Sequence, residues 1–140
     1  MRIHFSWLVV GLWIAGAAPA AAAEDPRPSL TVCDLKKLGS RELAECLRAA
    51  SDKSDKELAE VVATAVKSID GRAGLMSGQK SRWKRSLNES ESQWLAWRDT
   101  ECQDVAPFEA GMSTKNGDPR LACMIDQNAR RTAEIKARYP

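Results

Sequence analysis

Histidine is all but missing from this chain of 140 residues: there is one, His4, near the amino terminus. The four cysteines (Cys33, Cys46, Cys102, Cys123) show no CxxC spacing and have no histidine beside them, so no metal site is expected. Also lacking are internal repeats, low-complexity tracts after the first residues, and any sustained alternation of apolar and polar residues, which leaves little room for a sheet. Charge of one sign is not in surplus either. The chain has 21 basic and 19 acidic residues, and Arg2 is the only one of them within residues 1–23, so the remainder carries +1. Such a balance provides no overall field to draw in nucleic acid or a membrane surface. Carboxylates are plentiful, but no pair stands out as the acid and base of a glycosidase. No cofactor motif is present.

The N-terminal stretch MRIHFSWLVVGLWIAGAAPAAAAEDP has a different character. Arg2 is followed by an apolar run from Phe5 to Ala18 and then by small residues up to Ala23. This is the layout of a cleavable export signal over residues 1–23, and the run is short for a membrane span. Leu30-Thr31-Val32-Cys33 has the outline of a lipidation box. Val32 is bulky where a small residue is expected, however, and Glu24, Asp25 and Arg27 intervene, so Cys33 reads as an ordinary cysteine. The expectation is a periplasmic or secreted protein with no stable membrane anchor, monomeric or weakly dimeric. An even number of cysteines in an exported chain then argues for two disulfides. Of the three pairings possible, Cys33–Cys46 and Cys102–Cys123 are preferred because each closes a short loop.

Residues 24–39 contain Pro26, Pro28 and Gly39 and read as an irregular arm, with a helical domain over 40–140. Ser40 is placed to cap a helix. Leu43, Leu47, Ala50, Leu58, Val61, Ala65 and Ile69 recur at helical spacing, which predicts a long first helix. Ser54-Asp55-Lys56-Glu57 resembles a capping box, so a break across 51–55 stays open. A second stripe, Trp83, Leu87, Trp94 and Val105, is expected to stop at Pro107, and residues 106–118 read as a loop. Asp118 and Pro119 open a last helix whose face is Leu121, Ile125, Asn128, Thr132, Ile135 and Tyr139. The fold class is therefore all-α: a small bundle of three to four helices fastened by two disulfides.

Two regions invite a functional reading. In QWLAWRDTEC, residues 93–102, Arg98 lies about 40° around a helix from Trp94, on the edge of the apolar stripe, with Asp99 further out. Arg98 either anchors a hydrogen-bond network or joins Trp97 as a ligand platform. No nucleophile or general base accompanies it, so no catalytic residue is assigned. In the loop between Cys102 and Cys123, Phe108 and Met112 either enter a partner's cleft or fold under the loop as a lid. The basic cluster Lys80, Arg82, Lys84 and Arg85 around Trp83 reads as a solvated helix face.

The run Arg98-Asp99-Thr100-Glu101-Cys102, followed by a glycine-containing loop, Cys123, Asn128 and Arg131, resembles the lysozyme inhibitor LprI N-terminal-like domain family. The resemblance covers roughly Cys33 to Tyr139; Asn128 stands where the family usually has threonine. It implies a helical, disulfide-fastened exported domain with Trp94, Arg98, Asp99, Asn128 and Arg131 as its structural motif. It also implies a non-catalytic protein with a protein partner, a lysozyme-type muramidase. The alternative is an envelope structural or assembly factor that binds another protein through a helical face. Because lysozymes are commonly cationic, Glu57, Glu60, Glu89 or Glu91 would suit the contact.

Overall fold

The structure is a computed structural model and describes residues 27–111 and 117–140. The expected signal over 1–23 and Met112 lie outside the described residues. Three long helices build the fold: α2 (Ser40–Asp70), α3 (Ser77–Thr100) and α5 (Pro119–Arg138). Two short ones, α1 (Pro28–Val32) and α4 (Ala106–Ala110), flank them, and a π-helical turn (Glu101–Val105) joins α3 to α4. No strand occurs among the described residues. Both disulfides pair as the short-loop argument favours, Cys33–Cys46 and Cys102–Cys123.

The long helix α2 runs unbroken through 51–55. Ser54 does not cap a second helix there; its hydroxyl donates to the Ser51 carbonyl one turn back (2.8 Å). At the start of α2 the capping group is also not Ser40. The Gly39 N–H donates to Glu42 Oε2 (3.0 Å), so a carboxylate in the first turn satisfies the free amide. Leu43, Leu47, Ser51, Leu58, Ala65 and Ile69 form the buried face, and α5 packs along most of it.

Two boundaries depart from the sequence expectations. Residues 28–32 of the supposed irregular arm form α1, with Pro28 at the first helical position, where its missing N–H costs nothing. Buried Ser29 holds α1 to α5 by donating from its N–H (2.8 Å) and its hydroxyl (2.9 Å) to the Asp126 carboxylate. Pro107 does not end the second helical run. The π turn lets the Ala106 N–H reach the Glu101 carbonyl, and Pro107 then sits in the first turn of α4. The wider π turn also changes the helical phase at its end, so Val105 leaves the apolar stripe and is exposed.

The core is in two parts. Cys33, Leu43, Leu47 and Ile125 form one apolar cluster at the disulfide end. Ala65, Ile69, Leu87 and Ile135 form another at the far end, with Trp83 and Tyr139 packed against it. Leu47, Ile69 and Ile135 lose all contact with water, and each such burial contributes about 1.5–3 kcal/mol. Gly117, just before α5, adopts φ +79°, and a Cβ there would lie 2.5 Å from Leu47 Cδ1. Glycine is needed at this point both for the backbone conformation and for the close approach.

Candidate functional site

Between the two apolar clusters lies a polar layer, built from the residues that the RDTEC motif contributes and their partners. Arg98 is 6% exposed. Its Nη1 donates to Asp55 Oδ1 of α2 (2.8 Å) and to Asn128 Oδ1 of α5 (2.7 Å). Its Nε and Nη2 donate to Asp99 Oδ1, at 3.0 and 2.7 Å. Asn128 in turn donates from Nδ2 to Ser54 Oγ and Asp55 Oδ1, both at 2.9 Å. One guanidinium and one amide thereby connect all three long helices.

One turn of α5 further on, Arg131 meets Glu91 of α3. Its Nε donates to Glu91 Oε2 (3.0 Å) and its Nη2 to Glu91 Oε1, while Nη1 donates to Glu134. The bond to Glu91, reinforced by Glu134, raises the Arg131 pKa above the ordinary arginine value against the opposing effect of burial. Trp94 is half-buried with the guanidinium carbons of Arg98 and Arg131 at 5.8 and 5.5 Å from its ring centroid. No buried side-chain nitrogen or oxygen lacks a partner among the described residues. This layer has its hydrogen-bonding capacity used internally, which is the arrangement of a fastening rather than of a reactive centre.

Arg98 and Trp97 are not brought together as a platform. Arg98 turns inward to Asp55 and Asn128, whereas Trp97 is 48% exposed and packs at a tilt on Trp94, with ring centroids 6.2 Å apart. Glu91 is equally unsuited to contact a partner, because it is buried against Arg131. Lys80 and Lys84 engage Asp70 at the end of α2, and Trp83 donates from Nε1 to the Tyr139 hydroxyl (3.3 Å).

The exposed feature with the most distinct chemistry is α4. Phe108 is 87% exposed and does not fold under its own segment as a lid. Behind it, Cys102 in the π turn is tied to Cys123 in α5. Cys123 lies about 140° around α5 from Asn128, so this disulfide fastens the flank of the bundle and leaves the polar layer undisturbed. Asp99, Glu101, Asp104 and Glu109 fall between residues 99 and 111, where there is no lysine or arginine. On one side of α4, Asp104 and Phe108 line a recess of about 890 Å3 with Leu35, Leu38 and Leu43. Sequence reasoning singles out Phe108 but misses these carboxylates. The signal for them is the lack of any cation over that run of consecutive positions.

A second concavity of about 500 Å3 lies between α2 and α3, lined by Leu58, Ala59, Val62, Ala63 and Leu95 above Glu91 and Arg98. It exists because α3 buries only Leu87, Glu91 and Arg98 and so touches α2 over a short length. Among the described residues no helix is long and apolar enough to cross a membrane, and no group of three potential metal ligands occurs.

A family model described as "Lysozyme inhibitor LprI" matches residues 33–135, from the first disulfide cysteine to the last buried isoleucine. No curated protein and no solved structure matches the chain.

Proposed function

The chain belongs to the LprI lysozyme inhibitor family, and from that premise we propose that it is an exported, non-catalytic protein that binds a lysozyme-type muramidase and occludes its cleft with the α4 ridge. The carrying observation is Phe108. It projects into solvent from a short helix whose base is covalently tied to α5, beside Glu101, Asp104 and Glu109. A rigid aromatic loses little conformational freedom when it enters a cleft. Exposed Asp104 and Glu109, although Arg120 and Arg130 line the neighbouring concavities, offer a cationic enzyme two carboxylates beside the ring. Residues that confer binding are thus separate from the Arg98 and Arg131 network, which holds the scaffold.

The test is turbidity loss of bacterial cell walls under lysozymes of several types, with and without the oxidised mature protein. Dose-dependent protection near a one-to-one ratio is expected. Replacing Phe108 and Met112 together by alanine should abolish most of it, and unchanged protection would overturn the α4 mechanism. The groove between α2 and α3 supports a second reading, an envelope factor that takes an apolar segment of another protein. Absence of protection against every lysozyme, with a stoichiometric periplasmic partner retained by the protein but lost on Leu95→Asp, would favour that reading instead.

A further inference from the structure

We infer that the turn between α2 and α3 is a docking tip for a bilayer surface that carries anionic headgroups. The turn runs from Gly71 to Met76 and projects beyond the far apolar cluster. Its last residue, Met76, is 72% exposed, the second most exposed of the large hydrophobic side chains described, and half-buried Leu75 precedes it. Only the backbone of Met76 serves the fold, as the cap of α3; its side chain is left in water at the end of the turn, and its flexible thioether adapts readily to an irregular apolar medium.

The charge around this apex is one-sided. Between Val66 and Asn88 there are six cations (Lys67, Arg72, Lys80, Arg82, Lys84, Arg85) and one carboxylate, Asp70. Asp70 is already engaged: Lys84 Nζ donates to its Oδ1 and Lys80 Nζ to its carbonyl, both at 2.7 Å. Lys67, Arg72, Arg82 and Arg85 are exposed, and none makes an ion pair among the described residues. The overall balance of +1 therefore conceals a strongly basic end. Trp83 and Tyr139, both half-buried and hydrogen-bonded to each other, belong to the same end. Apolar tip, cation collar and amphipathic aromatics together match the interfacial layer of a membrane better than they match a soluble polyanion, which offers Met76 nothing to enter.

The geometry gives such docking an orientation. Met76 follows the C-terminal end of α2, while Phe108 shares a recess with Ser40, Leu43 and Ala44 at its N-terminal end. The intervening 31 residues of continuous helix span about 46 Å. Docked by the turn, the molecule holds α4 well away from the bilayer. This inference does not rest on muramidase inhibition, which can be measured in solution without lipid.

The experiment is co-sedimentation of the oxidised mature protein with vesicles of phosphatidylcholine containing phosphatidylglycerol, against vesicles of phosphatidylcholine alone, at low and raised salt. Binding to the anionic vesicles only, weakened by salt, is expected. Each cation near such a surface strengthens binding roughly five-fold, so Arg72→Gln, Arg82→Gln and Arg85→Gln together should weaken it by about a hundred-fold. Met76→Ser, which alters no charge and no buried contact, should weaken it several-fold. Equal binding to both vesicles, binding to neither, or retention in the triple variant overturns the proposal. If soluble polyphosphate binds as tightly as the vesicles and Met76→Ser changes neither, the surface is a polyanion site and the bilayer assignment is wrong.

Discussion

Arg131 and Glu91 face each other across the α3–α5 contact with their side chains 9% and 7% exposed, Nε to Oε2 at 3.0 Å. Two opposite charges so far from water stabilise the fold chiefly as a pair, since Glu91 alone would carry its full desolvation penalty and Arg131 would keep only the half-exposed Glu134. Glu91→Ala is expected to cost about 3–5 kcal/mol in urea unfolding. Glu91→Leu combined with Arg131→Met should recover most of that loss. If the double variant were no more stable than the single, the burial argument would be wrong.

Arg98→Lys keeps the charge but loses the fork that reaches Asp55, Asn128 and Asp99 together. The expected loss is about 1–3 kcal/mol, because Asn128 is left with an unsatisfied acceptor inside the polar layer. Urea midpoints of the two proteins decide it, and equal midpoints would mean that an ammonium satisfies the same acceptors.

Gly117→Ala combines a left-handed backbone with a Cβ that would collide with Leu47 Cδ1. Loss of about 2–5 kcal/mol is expected. Gly74→Ala, at a similar φ but with open space around it, should cost less than half as much. The comparison separates the steric part from the backbone part.

Asp118 caps α5 by accepting from the Arg120 N–H, and its side-chain bond to Arg120 Nε and Nη2 holds its pKa below the ordinary carboxylate value. A depressed folded pKa contributes stability that is complete above the unfolded value near 4 and disappears as pH falls through the folded value. Asp118→Asn keeps a capping oxygen but removes the charge. It should therefore be slightly less stable than the parent at neutral pH, by under about 1 kcal/mol, with the gap closing in acid. A gap that widened on acidification would contradict the assignment.

The two disulfides close loops of similar length, with separations of 13 and 21 residues. Each contributes roughly 3 kcal/mol by constraining the unfolded chain. Their functional effects should differ. Replacing Cys102 and Cys123 by serine frees the base of α4 and should weaken inhibition, whereas Cys33→Ser with Cys46→Ser should lower the melting temperature with little change in inhibition. Identical losses of inhibition would indicate that α4 needs no brace.

The helical stripes are readable where burial follows spacing. Leu43, Leu47, Leu58, Ala65 and Ile69 fall on the buried face of α2 at helical intervals. So do Ile125, Asn128, Thr132 and Ile135 of α5. The family signature is legible too, because Arg98, Asp99 and Cys102 lie close together in the chain. Partners distant in sequence are not. Nothing local links Arg98 to Asp55, 43 residues away, or Ser29 to Asp126, 97 residues away. The π turn is also hidden, since one residue of extra winding has no compositional mark, and it displaces Val105 and carries Pro107 into a new helix. Phe108 stands out from its setting between two cysteines, but its exposure depends on how α4 is held.

Both covalent ties lie at one end. Cys33–Cys46 and Cys102–Cys123 bind the segment after α1, the π turn and the starts of α2 and α5, while Ile69, Leu87 and Ile135 at the other end are held by packing alone. The molecule should therefore open unevenly. Backbone amides around Ile69 and Ile135 should exchange with solvent through partial openings that leave Leu43, Leu47 and Ile125 protected. Damage at the turn then leaves the ridge that carries Phe108 in shape, because the two ends of the bundle are held by different kinds of tie.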